Sequence, residues 1–84
     1  MKRVLMYTTG CCPFCVMAKR LLQQKGVAVD EVRVDHDTRQ REEMMRVTGR
    51  RTVPQIFVGN THVGGYDDLS AMNSAGKLDP LLND

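Results

Sequence analysis

Tryptophan is absent, and two tyrosines and two phenylalanines are the only aromatic residues among 84. The core cannot rest on large rings, so Val, Leu, Ile and Met must supply it. The same scarcity argues against a nucleic-acid surface, which interleaves basic charge with stacking rings. No apolar run approaches the roughly 20 residues that span a bilayer as a helix. At the amino terminus, Lys2-Arg3 precede an apolar stretch too short for a secretory signal, with no small-residue cleavage site after it. A strong charge of one sign is also missing, since the net charge is only +2. Arg39, Arg41, Arg46, Arg50 and Arg51 do cluster, and they read as a solvated helix face with room for small anions. The expectation is one domain over residues 1–84, monomeric and cytoplasmic, touching neither membrane nor nucleic acid.

Cysteine is missing everywhere except Cys11, Cys12 and Cys15. Three neighbouring thiols cannot close the long loops of a disulfide scaffold, so their use is local chemistry.

Hydrophobic patterning supplies the elements. Val4 to Thr8 is an apolar run suited to a buried strand. Pro13 suits the first position of a helix whose Met17, Ala18, Leu21 and Leu22 mark one buried face, with Lys25 and Gly26 at its end. Val27 to Asp35 reads as a second strand, its alternation slipping at Asp30-Glu31. Asp37 or Thr38 caps a second helix with a Glu42–Arg46 pair and an apolar side of Met44, Met45 and Val47, closed by Gly49. Gln55 to Val58 and Thr61 to Val63 form a hairpin through Gly59-Asn60. Asp67 or Asp68 opens a third helix that Gly76 closes, and Asp79-Pro80 begins a last helical turn. The order implies an α/β fold. A right-handed βαβ unit plus a hairpin gives a four-stranded mixed sheet with helices on both faces.

The chemistry centres on Cys12-Pro13-Phe14-Cys15. Residues three apart on a helix share a face, so Cys12 just before the helix and Cys15 in its first turn can bring their sulfurs together. Cys12 then lies beside unpaired N–H groups and the positive end of the helix dipole, which favour thiolate. A stabilised thiolate both attacks and leaves well. Cys12 is therefore the expected nucleophile and Cys15 the thiol that resolves the mixed disulfide. The competing assignment is zinc, with Cys11, Cys12, Cys15 and either His36 or His62. Adjacent cysteines make awkward tetrahedral ligands, and a Cys-x-x-Cys beside a βαβ pattern favours redox work over metal. Cys11 reads as a bystander, and His36 and His62 as ordinary surface residues.

Cys12-Pro13-Phe14-Cys15 after the first strand, Thr52-Val53-Pro54 before the third and Gly64-Gly65-Tyr66-Asp67-Asp68 before the third helix together resemble the glutaredoxin family over nearly the whole chain. The resemblance implies a thioredoxin-like fold with three or more helices and a cis-proline at Pro54. It implies an enzyme that reduces protein disulfides and glutathione mixed disulfides, ribonucleotide reductase among the usual substrates, with glutathione as reductant and no metal. Carried onto this chain, the glutathione-binding residues are Phe14, Arg41, Arg51, Thr52, Val53, Pro54, Gly65, Tyr66, Asp67 and Asp68. Val53 would offer its backbone to the tripeptide, the start of the third helix its N–H groups to the γ-glutamyl carboxylate, and Asp68 with Asp67 would take the amine. Arg41 or Arg51 would face the glycine carboxylate. Thr9 stands where many family members carry lysine, and Phe14 where tyrosine is common. Two other activities remain in view. One is a thioredoxin-like reductant fed by a flavin reductase, which the Gly-Gly-Tyr-Asp-Asp stretch disfavours. The other is a glutathione-ligated iron–sulfur carrier, whose branch usually has Gly and Ser in place of Pro13 and Cys15.

Overall fold

The computed structural model describes residues 2–83. The elements run β1 (Val4–Thr8), α1 (Pro13–Gln24), β2 (Val29–Arg33), α2 (Thr38–Thr48), β3 (Gln55–Val58), β4 (Thr61–Gly64), α3 (Tyr66–Ser74) and α4 (Leu78–Asn83). The strands order as β2-β1-β3-β4, with β1 parallel to β2 and antiparallel to β3, and β3 antiparallel to β4. The mixed sheet read from the sequence is thus present, flanked by four helices.

Period-two alternation along β1 divides the core. Val4 and Met6 face a large cluster with Ile56 and Val58 of β3 and with Ala18, Leu22, Leu69, Leu78 and Leu82 of α1, α3 and α4. Leu5 and Tyr7 face the other side, where Val34 and Met44 bring in α2. Aliphatic and methionine side chains carry the larger cluster, as the lack of rings requires.

Several boundaries differ from the sequence reading. The second strand is shorter, Val29–Arg33, because the Val27 N–H bonds Leu22 O and so belongs to the turn after α1. The slip in alternation lies near the start of the strand, and β1 and β2 pair there in unbroken register. On this edge strand Asp30 pairs with Arg3, and Glu31 pairs with Lys19 while accepting from the Thr8 hydroxyl. Met17 and Val47 are exposed rather than on the buried helical faces. Arg46 engages Glu43, one residue nearer than Glu42, because i,i+3 neighbours are equally in reach. The third helix begins at Tyr66, with Gly65 as its N-cap and Asp68 at its third position. The carboxylate reaches back to accept the Gly65 N–H at 2.9 Å.

Candidate active site

Three chain segments converge at the carboxyl end of β1 and the amino end of β3. The first is the N-terminus of α1. Cys12 is its N-cap in extended conformation and Pro13 its first residue. Cys12 and Cys15 are joined as a disulfide with their Cα atoms 5.2 Å apart, and the Cys12 sulfur accepts the Cys15 N–H at 3.1 Å. That bond uses one of the donors a helix start leaves free, so the helix itself holds electron density on this sulfur. The pair is nearly enclosed, with Cys12 at 9% and Cys15 at 3% exposure. Cys11 is a free, exposed thiol. The loop before the pair is pinned from β2's end: the Asp35 carboxylate accepts the Gly10 N–H at 2.9 Å and a bidentate Arg33. The guanidinium and the amide hold that carboxyl far below the usual carboxylate range.

The second segment is 52–54, with the Val53-Pro54 peptide cis. The resemblance implied this feature at Pro54. The Val53 carbonyl lies 3.8 Å from the Cys12 sulfur. Among the described residues the Val53 backbone makes no backbone hydrogen bond, so this edge is open.

The third is the turn into α3. Gly64 has φ +117°, a conformation that favours glycine, and a Cβ there would overlap the Asp68 carboxylate. Asp68 is held by the Gly65 N–H and, at 3.0 Å, by Arg50. The amide and then the guanidinium keep its carboxyl below the ordinary range.

These segments enclose an open groove of about 190 Å³ lined by Phe14, Arg50, Thr52, Val53, Pro54, Gly65, Tyr66, Asp67 and Asp68. Phe14 is exposed and stacks on Tyr66, ring centroids 6.1 Å apart, linking α1 to α3. Of the residues expected to bind, Arg41 and Arg51 are not in the lining. Arg41 reaches the Arg51 carbonyl at 3.4 Å and braces the turn from α2's side. Arg50 occupies the groove instead, and sequence reasoning missed it. Gly49, in left-handed conformation at φ +70°, ends α2 and turns the chain toward Arg50 and Thr52. The remaining surface adds two negative findings. No three His, Cys, Asp or Glu gather as a metal group among the described residues, and no helix there is long and apolar enough to cross a membrane.

A dithiol that cycles through a local disulfide at a helix N-terminus, opposite a cis-proline on a mixed sheet, defines a thiol–disulfide oxidoreductase of the thioredoxin-like fold. The Glutaredoxin family profile matches residues 4–63. A glutaredoxin of Pseudomonas aeruginosa is 53% identical over 83 residues, spanning 99% of each chain. Glutaredoxin 3 of Escherichia coli is 50% identical over 82 residues, spanning 98% of this chain and 99% of that one. A buckwheat glutaredoxin, solved as a glutathione complex, superposes with a TM-score of 0.90 at 28% identity, covering 98% of this chain and 77% of that one. The chain belongs to the glutaredoxin family.

Proposed function

We propose that the protein reduces protein disulfides and glutathione mixed disulfides, with glutathione as co-substrate drawn from a reducing cytoplasm. The observation that carries this reading is the open Val53 backbone 3.8 Å from the Cys12 sulfur, with the first turn of α3 across the groove. An extended tripeptide can add to that edge as one more strand. The N–H groups of Tyr66 and Asp67, in the first turn of α3, suit its γ-glutamyl carboxylate, and Asp68 and Asp67 its amine. Arg50, beside Thr52, brings a cation to the same groove. The glutathione bound by the buckwheat relative supports the same occupant.

Cys12 acts as the thiolate. It attacks one sulfur of the substrate disulfide, and the other sulfur leaves with the electron pair. For a protein disulfide, the Cys15 thiolate then attacks the Cys12 sulfur of the mixed disulfide. The Cys12–Cys15 disulfide forms and the second substrate thiol departs. One glutathione thiolate opens that disulfide to a Cys12–glutathione adduct. A second attacks the adduct, giving glutathione disulfide and the reduced enzyme. A glutathionylated substrate enters directly at the adduct stage, with its glutathionyl group in the groove. Disulfide-containing proteins such as ribonucleotide reductase are the proposed partners.

The test is a turnover assay in which glutathione reductase recycles glutathione disulfide while a glutathionylated peptide is consumed. Saturable turnover that Cys12→Ser abolishes supports the reading. Turnover with thioredoxin reductase but none with glutathione would replace it.

A further inference from the structure

Gln55 opens β3 with its side chain wholly buried, and a buried amide needs partners at both ends. Its Nε2 lies 3.0 Å from the Thr52 carbonyl and 3.3 Å from the Thr52 hydroxyl. A carbonyl only accepts, so this end of the amide is the NH₂ group and the other end is the oxygen. His62 Nε2 lies 2.8 Å from that oxygen, so this ring nitrogen must carry the hydrogen. Burial, with Arg50 nearby, pushes the imidazole below its usual range, while Asp68 opposes the shift. The ring stacks on Phe57 with centroids 4.9 Å apart. His62 pairs with Phe57 across the hairpin, and Gln55 is two residues back along β3, so all three share one face of the sheet. A continuous strut thus runs from β4 through β3 to Thr52, the residue before Val53.

We propose that Gln55 and His62 are positioning residues that hold the Thr52–Val53 segment where the Val53 backbone meets a bound glutathionyl group. This rests on the groove being the glutathione site. Neither side chain is among those lining the groove. The segment is also held by the Val53 side chain packed against the Tyr7, Val34 and Met44 cluster, by the Cys12 sulfur at the Val53 carbonyl and by the Arg41 brace on Arg51, but the side-chain hydrogen bonds to Thr52 come from the strut. Without those bonds the segment's open edge would sample several placements, and binding would weaken while the sulfur chemistry stayed intact.

The test compares wild type with His62→Phe, which keeps a ring against Phe57 but removes the N–H, and Gln55→Met, which keeps volume but removes both hydrogen-bonding ends. Each is assayed for KM and kcat on a glutathionylated peptide. Each is assayed separately for reduction of a small non-peptide disulfide driven by dithiothreitol, which needs no tripeptide groove. The expected result is KM raised about three- to tenfold, the worth of one hydrogen bond, with kcat within about twofold and the dithiothreitol-driven rate unchanged. An unchanged KM in both variants overturns the proposal. So does a parallel fall of the dithiothreitol-driven rate, or loss of fold in both variants, since either assigns the strut to general stability. Failure of the wild type to saturate with the glutathionylated peptide would instead sink the proposed function.

Discussion

Asp68 performs two tasks that substitution can separate. Its carboxylate caps α3 by accepting the Gly65 N–H, and it pairs with Arg50. Replacing a capping acceptor by alanine costs about 1 kcal/mol, within a range of about 0.5–2. The ion pair adds little, because its side chains are 46% and 48% exposed and solvent screens them. Asp68→Ala should therefore lose about 1–2 kcal/mol, lowering Tm by roughly 4–16 °C at this chain length. Asp68→Asn keeps an acceptor for Gly65 and should lose less than about 1 kcal/mol. The carboxyl is depressed in the folded state, so its charge-dependent stabilisation is fully present above the ordinary carboxylate pKa. It fades as pH falls through the lower, folded value. Chemical denaturation from pH 7 downward should show wild type converging on Asp68→Asn only in strong acid. In the glutathionylated-peptide assay both variants should raise KM, because both lose the charge offered to the γ-glutamyl amine. Equal stability of wild type and Asp68→Ala would refute the cap. A KM unmoved in Asp68→Asn would refute the amine contact.

Cys15→Ser should still process a glutathionylated peptide, because the adduct chemistry needs only Cys12. It should lose dithiol reduction of a protein disulfide, and equal loss of both activities would contradict the division of labour. Leu22→Ala, at a site with 0% exposure in the larger core cluster, should destabilise by about 2–5 kcal/mol in urea unfolding. A cost under about 1 kcal/mol would mean that α1 is not anchored there.

What the sequence made legible follows from how local each determinant is. β1, β3, the Gly59-Asn60 turn and the start of α1 were readable because alternation, turn residues and Pro13 act over a few positions. The length of β2 was not. Val27 looks like strand by composition, but its N–H is taken by Leu22 O in the turn before it. The dithiol was legible because its two residues lie on one turn of one helix. The groove was legible only in part. Val53, Pro54 and Tyr66 come from motifs, whereas Arg50's place in the lining rather than Arg51's depends on how the chain runs from α2 to Thr52, which no local pattern encodes. Gln55 and His62 carried no signal, because their meaning lies in a contact across two strands. Asp35 was missed for the same reason, since it holds Gly10 from the far end of β2.

The account turns on Cys12 being ionised by its place at the mouth of α1, where its sulfur receives the Cys15 N–H. The direct measurement is the pH dependence of alkylation of Cys12 in the reduced protein, read alongside thiolate ultraviolet absorbance. The account predicts half-ionisation clearly below the value of about 8.5 for a free cysteine. Half-ionisation at or above that value would contradict it.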